Sequence, residues 1–204
     1  MKVLDLCSGL GGFSSAFVND PSWEVMRIEN NPLLESVPHT EIICIFEFRD
    51  NLADMISRGY CPTSPDLLLA SPPCTEFSMG YASARSIASR EGTLDDYNPD
   101  MSILNCVMDI KNMLKPRFWI IENVVGSRRY FEPITGELKQ KNGAFCFYGK
   151  FPSFYPDGEI KLKSTGDKWS NHPLRSNYRA LIPHNISTAI KKAIESQTTL
   201  FDYV

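Results

Sequence analysis

The 204-residue chain has no apolar run approaching the roughly 20 residues needed to cross a bilayer. It has no C-x-x-C pair: Cys7, Cys44, Cys61, Cys74, Cys106 and Cys146 are scattered singly, which argues against a zinc site or any other metal centre. The start "MKVLDLCSG" shows no h-region or cleavage site, so a reducing, cytoplasmic setting is expected, with neither disulfides nor membrane contact. Internal repeats, low-complexity linkers and a complete G-x-G-x-x-G fingerprint are also missing. What remains is 43% hydrophobic content, enough for one core of single-domain size.

Positive charge is scarce in the first half. Residues 1–110 carry six Lys/Arg against sixteen Asp/Glu, a balance of −10, whereas residues 111–204 carry fifteen against eight, or +7. A basic second half can neutralise phosphates and supply the salt-dependent part of nucleic-acid affinity. Charge spread over solvated loops is the competing reading.

"KVLDL", "WEVMRIEN", "EIICIFEF", "PDLLLA" and "PRFWIIENV" read as five strands. "CSGLGGFSSAF" reads as a glycine-rich turn leading into a helix, and "MSILNCVMDIKNMLK" has its apolar residues at helical spacing. The alternation predicts an α/β fold with a mostly parallel, doubly wound sheet. After Val125 the pattern weakens: "GSRRYFEPITGELKQKNG" is turn-rich, "AFCFYGKF" and "GEIKLK" look like short strands, and "KWSNHPLRSNYRAL" is irregular. This part reads as a small β-rich appendage or a substrate-facing surface. "IPHNISTAIKKAIESQ" predicts a closing helix capped by Asn185 or Ser187.

Three stretches carry chemistry. In "SPPCTEFS", Cys74 follows two prolines at a strand exit, a position that suits a nucleophile better than the apolar interior where structural thiols sit. In "WIIENVVG", Glu122 ends an apolar strand, where burial raises a carboxyl pKa toward proton exchange near neutrality; a water-facing glutamate is the alternative. Exits of neighbouring parallel strands converge on one cleft, so Cys74 and Glu122 are expected to meet. The third stretch, Asp5 to Phe13, places Gly9, Gly11 and Gly12 after Cys7 where a strand turns, so that a ligand can approach the backbone and a helix N-terminus; a plain tight turn competes. Glu29, twenty-four residues beyond Asp5 and followed by Asn30, stands where doubly wound folds hold ribose hydroxyls, and Asp50 is a candidate acceptor for an adenine amino group.

In order, "DLCSGLGG", Glu29, "SPPC" with "FS" after it, and "ENV" resemble the motif series of the DNA cytosine-5 methyltransferases over roughly residues 1–130. "IPHNISTAIKKAIE" is similar to that family's closing motif, whose helix returns beside the cofactor turn. The resemblance implies a Rossmann-like S-adenosylmethionine-dependent methyltransferase fold and methyl transfer from S-adenosylmethionine to cytosine C5 in DNA, leaving S-adenosylhomocysteine. It implies Cys74 as the nucleophile adding to C6, Glu122 as the group holding N3 and the exocyclic amine, and a base flipped out of the duplex. Asp5, Cys7, Gly9, Gly11, Gly12, Phe13, Glu29, Asn30, Asp50 and Pro72 become the expected cofactor residues. Pro73, Asn123 and Val124 are expected at the substrate, and residues 78–100 as a loop that closes over DNA, with Arg85 and Arg90 near phosphates.

The sequence departs from the family in three places. Thr75 stands where a glutamine usually follows the cysteine, no Gln-x-Arg-x-Arg element follows the Glu-Asn-Val strand, and few residues remain for target recognition. Arg128 and Arg129, or Arg175 and Arg179, are the candidate replacements, with "RRYF", "KQKNG" and "KWSNHPLR" as candidate DNA contacts. The expected organisation is a catalytic and cofactor-binding core over 1–125, a reduced target-recognition region over 126–180, and a returning helix and tail over 181–204. Relaxed sequence specificity and a minimal, viral or phage-type enzyme fit this economy, in a host cytoplasm or at a nucleoid. The alternative is a methyltransferase-fold DNA-binding or replisome-docking protein that turns over weakly or not at all; an RNA cytosine methyltransferase is disfavoured by the Pro-Cys with Glu-Asn-Val pairing. In the tail "QTTLFDYV", Gln197, Leu200 and Phe201, or Gln197, Leu200 and Tyr203, resemble sliding-clamp docking peptides, against the reading of a plain packing segment.

Overall fold

Leu67-Leu68-Leu69-Ala70 has no polar residue on either side of its pleat, and a strand of that kind is stable only with both sheet faces covered. The computed structural model describes residues 1–80, 83–160 and 171–201, the last four by backbone alone, and it places this strand (β4) at the centre of a seven-stranded sheet. The others are β1 (Lys2–Leu6), β2 (Glu24–Glu29), β3 (Thr40–Ile42), β5 (Phe118–Val124), β6 (Gln140–Asn142) and β7 (Phe145–Lys150), in the order β3-β2-β1-β4-β5-β7-β6. β1 to β5 run parallel, while β7 is antiparallel to both β5 and β6. The mostly parallel, doubly wound sheet expected from the sequence is therefore present. Of the two short strands expected in a separate appendage, "AFCFYGKF" is β7, which extends that sheet as a hairpin with β6 from the stretch read as turn-rich; residues 158–160, the described part of "GEIKLK", form no strand.

Both faces are buried. Leu4, Leu6, Leu68 and Ile121 face a layer that contains α1 (Ile45–Asp50), α2 (Leu52–Ser57) and α4 (Ser102–Leu114), through Phe48, Leu52, Val107 and Ile110. Val3, Leu67, Leu69, Ile120 and Phe147 face Phe13, Phe17 and the apolar stripe Ile186, Ile190 and Ile194 of α7 (His184–Phe201). Each large side chain removed from water contributes about 1.5–3 kcal/mol. The remaining helices are α3 (Ala84–Arg90), α5 (Arg128–Thr135) and α6 (Arg175–Ala180). Among the described residues, no helix is long and apolar enough to cross a membrane.

Four local expectations need correction. "EIICIFEF" is a strand only to Ile42; Ile45, Phe48 and Leu52 then recur at helical spacing on the core side, and α1 follows. Residues 13–19 form successive turns rather than a helix. Ser187 Oγ on α7 takes the Ala16 N–H at 3.0 Å and donates to the Phe13 carbonyl at 2.7 Å, so the first rungs of a helical ladder are diverted. Ser187 is thus no helix cap, and neither is Asn185, whose side chain donates to the Asp157 carbonyl; the first α7 amides bond to Pro183 O. The turn-rich and irregular stretches hold α5 and α6, and residues 78–100 hold α3. Part of "GEIKLK" and the start of "KWSNHPLR" lie outside the described residues.

Candidate active site

From β1 the chain moves outward to β2 and β3, then returns to place β4 on the other side of β1. The loops leaving β1 and β4 diverge at this reversal, which is where open α/β sheets accept ligands. A cavity of about 410 Å³ opens there, lined from the glycine turn and Glu29 at one end to Cys74 and Glu122 at the other.

At the β4 exit, Ser71 N–H still bonds to Leu6 O at 3.1 Å. Pro72 and Pro73 have no N–H to continue the pairing, so the chain leaves the sheet and carries Cys74 to the cavity wall. Phe77 N–H closes a turn onto Cys74 O at 3.1 Å, and its ring is buried against Phe131, with centroids 5.1 Å apart. On β5, side chains alternate: Glu122 and Val124 face the cavity, and Asn123 between them does not. Expected at the substrate, Asn123 instead donates to Pro72 O and accepts from Val124 N–H, each at 2.9 Å, tying the two strand exits together.

At the other end, Cys7, Gly9, Gly12, Phe13 and Asn30 line the cavity, as does Pro72 beyond them. Glu29 Oε2 accepts the Gly9 N–H at 2.8 Å, and Oε1 accepts those of Asn30 and Asn31 at 3.0 Å. Burial and the nearby Glu29 and Asp5 carboxyls push the Cys7 thiol far above its usual range, so this cysteine is no competitor to Cys74 as a nucleophile. Asp5 and Gly11 were expected in the wall and lie behind it. Asp5 is fully buried and accepts from Ser14 Oγ at 2.6 Å; desolvation raises its pKa to about 6 against the opposing Ser14 bond and Arg27 charge.

Asp50 does not reach the cavity. Because residues 45–50 are helical, it ends α1 on the surface, paired with Arg49, and Ile43, Cys44, Ile45 and Phe46 line the wall instead. None of the four arginines expected at the substrate lines the cavity either. Arg128 pairs with Glu132 within α5, Arg129 pairs with Asp95, and Arg175 and Arg179 flank the α6 residues Ser176, Asn177 and Ala180 that do line it. Gln197 lies on α7, while the side chains of Leu200, Phe201 and Tyr203 fall outside the described residues.

Sequence reasoning missed two supports. A Cβ on Gly126 would overlap the Phe77 carbonyl oxygen, so only glycine lets the Cys74 turn lie against the β5 exit. Arg27, buried in β2, bonds to the glycine turn from beneath; its signal was a lone cation in the otherwise apolar "VMRI".

Two curated relatives match. The type II methyltransferase M.SacI of Streptomyces achromogenes is 28% identical over 144 residues, covering 62% of this chain and 35% of its own length. M.AplI of Arthrospira platensis, also a type II methyltransferase, is 29% identical over 155 residues, covering 70% and 38%. The chain thus spans little more than a third of the length of these relatives. A solved structure of a DNA modification methyltransferase encoded within a prophage (E. coli) superposes with a TM-score of 0.46 at 18% identity, over 74% of this chain and 46% of that one. The profile described as C-5 cytosine-specific DNA methylase matches residues 1–135, the stretch holding β1 to β5 and both ends of the cavity, and by that match the chain belongs to the C-5 cytosine-specific DNA methylase family.

Proposed function

We propose that the protein transfers a methyl group from S-adenosylmethionine to C5 of cytosine in DNA, through a transient bond between the Cys74 sulfur and C6. The observation that carries this reading is that Cys74 and Glu122 line the same cavity as the glycine turn and Glu29. The wall fits the donor. Its volume lies within the range of small-molecule sites, Ser8 Oγ and Ser71 Oγ are buried there without partners, and Ile28, Ile43, Ile45 and Phe46 offer an apolar surface for a purine ring beside the Glu29 carboxylate.

Bound at that end, S-adenosylmethionine supplies an electrophilic methyl. The remaining work falls to the chain. Cytosine C5 is a poor nucleophile until the Cys74 thiolate adds to C6, which pushes electron density through the ring onto C5. Glu122 hydrogen-bonds N3 and the exocyclic amine and stabilises the charge that develops as the C–S bond forms. After C5 has taken the methyl, loss of the C5 proton to solvent drives the electron pair back into the ring and expels the thiolate. C6 is buried in a duplex, so the base must leave the stack, at a cost of a few kcal/mol. Residues 126–180 then contribute to target recognition, and residues from 181 onward serve as the returning support of the cofactor turn.

A second reading, a DNA-binding module with little or no turnover, is favoured by one observation: none of the four arginines expected at the substrate lines the cavity. One assay separates them. The full chain is incubated with labelled S-adenosylmethionine and mixed-sequence DNA, with an RNA arm alongside. Label is expected in DNA cytosine, lost with Cys74→Ala and reduced about 10²–10⁴-fold with Glu122→Gln. Cofactor binding without any label in DNA would leave the binding module standing.

A further inference from the structure

We infer that Arg27 is the positioning residue of the cofactor turn, its buried guanidinium standing in for the helix that this chain does not form there. The inference rests on the reading that the cavity takes S-adenosylmethionine. A turn running into a helix normally gains a positive end and a rigid continuation from that helix. Here residues 13–19 form only turns, and the cation beneath them comes from β2.

Arg27 is 3% exposed. Its Nη2 donates to Gly11 O at 2.9 Å, Nε to Ser14 Oγ at 2.8 Å, and Nη1 to Pro38 O at 2.7 Å. The fit is tight: a Cβ on Gly11 would lie 2.5 Å from the guanidinium carbon. Glu29, two residues on and on the same face of β2, holds the amides of the same two segments, Gly9 on one side and Asn30 and Asn31 on the other. The guanidinium thus fixes the carbonyls and the carboxylate fixes the N–H groups of the two loops that flank the cavity. Ser14 relays Arg27 to Asp5, whose ionisation keeps the relay pointing one way. The charged or titratable groups facing Asp5 are Arg27 and Glu29 of β2 and Cys7 just beyond the β1 exit.

The test measures S-adenosylhomocysteine affinity of the full chain by calorimetry across pH, alongside thermal denaturation. Wild type should bind most tightly when Asp5 is ionised and more weakly as pH falls through about 6. Arg27→Met should raise Kd at least about tenfold, the effect of losing hydrogen bonds from a charged donor. It should also move the pH midpoint upward, because the cation that favours ionised Asp5 is gone. Arg27→Lys keeps the charge, loses the three-way fork, and should restore the midpoint but not the affinity. If Arg27→Met does not fold, Ser14→Ala must flatten the pH dependence. Unaltered Kd and midpoint in the folded variants overturn the inference alone, whereas a wild type that binds no S-adenosylhomocysteine overturns the cofactor reading beneath it.

Discussion

At Gly126 the β5 exit passes so close to the Phe77 carbonyl that a methyl group has nowhere to go except into the turn carrying Cys74. Neither partner is free to yield: Phe77 is wedged against Tyr130 and Phe131, and Gly126 stands two residues beyond Val124, whose N–H is held by Asn123. Overpacking of this kind costs about 1–3 kcal/mol, and here the strain acts on the nucleophile's distance from Glu122. Gly126→Ala is expected to slow methyl transfer more than about tenfold with little change in S-adenosylhomocysteine affinity, since the glycine turn lies at the other end of the cavity. Initial rates and calorimetric Kd values check both halves; a raised Kd at unchanged rate would contradict it. Cys74 and Glu122 were legible in the sequence because prolines and an apolar strand mark them locally. Gly126 and Arg27 were not, because each acquires its role from a residue on another element.

Among the elements, α7 shapes the cofactor turn most directly. Ser187 is fully buried, donates to Phe13 O and accepts from Ala16 N–H, so its hydroxyl replaces two rungs of the helix that the turn would otherwise form. Ser187→Val leaves a buried acceptor and a part-buried donor unpaired, an expected loss of about 1–3 kcal/mol. For a chain of this length that corresponds to a Tm lower by about 2–10 °C, readable by calorimetry or near-ultraviolet dichroism. An unchanged Tm would mean that water satisfies both groups. The strands were readable because β1, β4 and β5 are buried on both faces and show as short apolar runs, interrupted by Asp5 in the first and by Glu122 and Asn123 near the end of the last. The helix after the glycines was predicted and is absent because Ser187 lies far along the chain, beyond any local pattern. α5 and α6 went unread for a different reason. α5 buries only Phe131 and contains Pro133, and α6 buries no residue, so neither leaves an apolar period in the sequence.

Over the whole molecule, sheet order turns the uneven charge into geometry. β3, β2, β1 and β4 come from the acidic half and β5, β7 and β6 from the basic half, so the cavity at the β1–β4 reversal borders both. Register fixes the basic side further. Lys141 on β6 pairs with Cys146 on β7, which pairs with Asn123 on β5, so Lys141 sits level with the strand exit that carries Glu122. It is exposed, and the β6–β7 turn that follows it lies at the same end of the sheet. DNA presenting a cytosine to Cys74 would therefore run past this hairpin, within reach of a lysine that reads phosphate and not sequence. Binding that neutralises Z phosphates weakens with salt at a log–log slope of about −0.9Z. Lys141→Glu is expected to weaken mixed-sequence DNA binding uniformly and to make that slope shallower by about one, leaving cofactor affinity untouched. Fluorescence anisotropy across a salt series measures the slope directly. A slope identical to wild type would place the DNA path off this hairpin, toward α6 and the arginines that flank its cavity-lining residues.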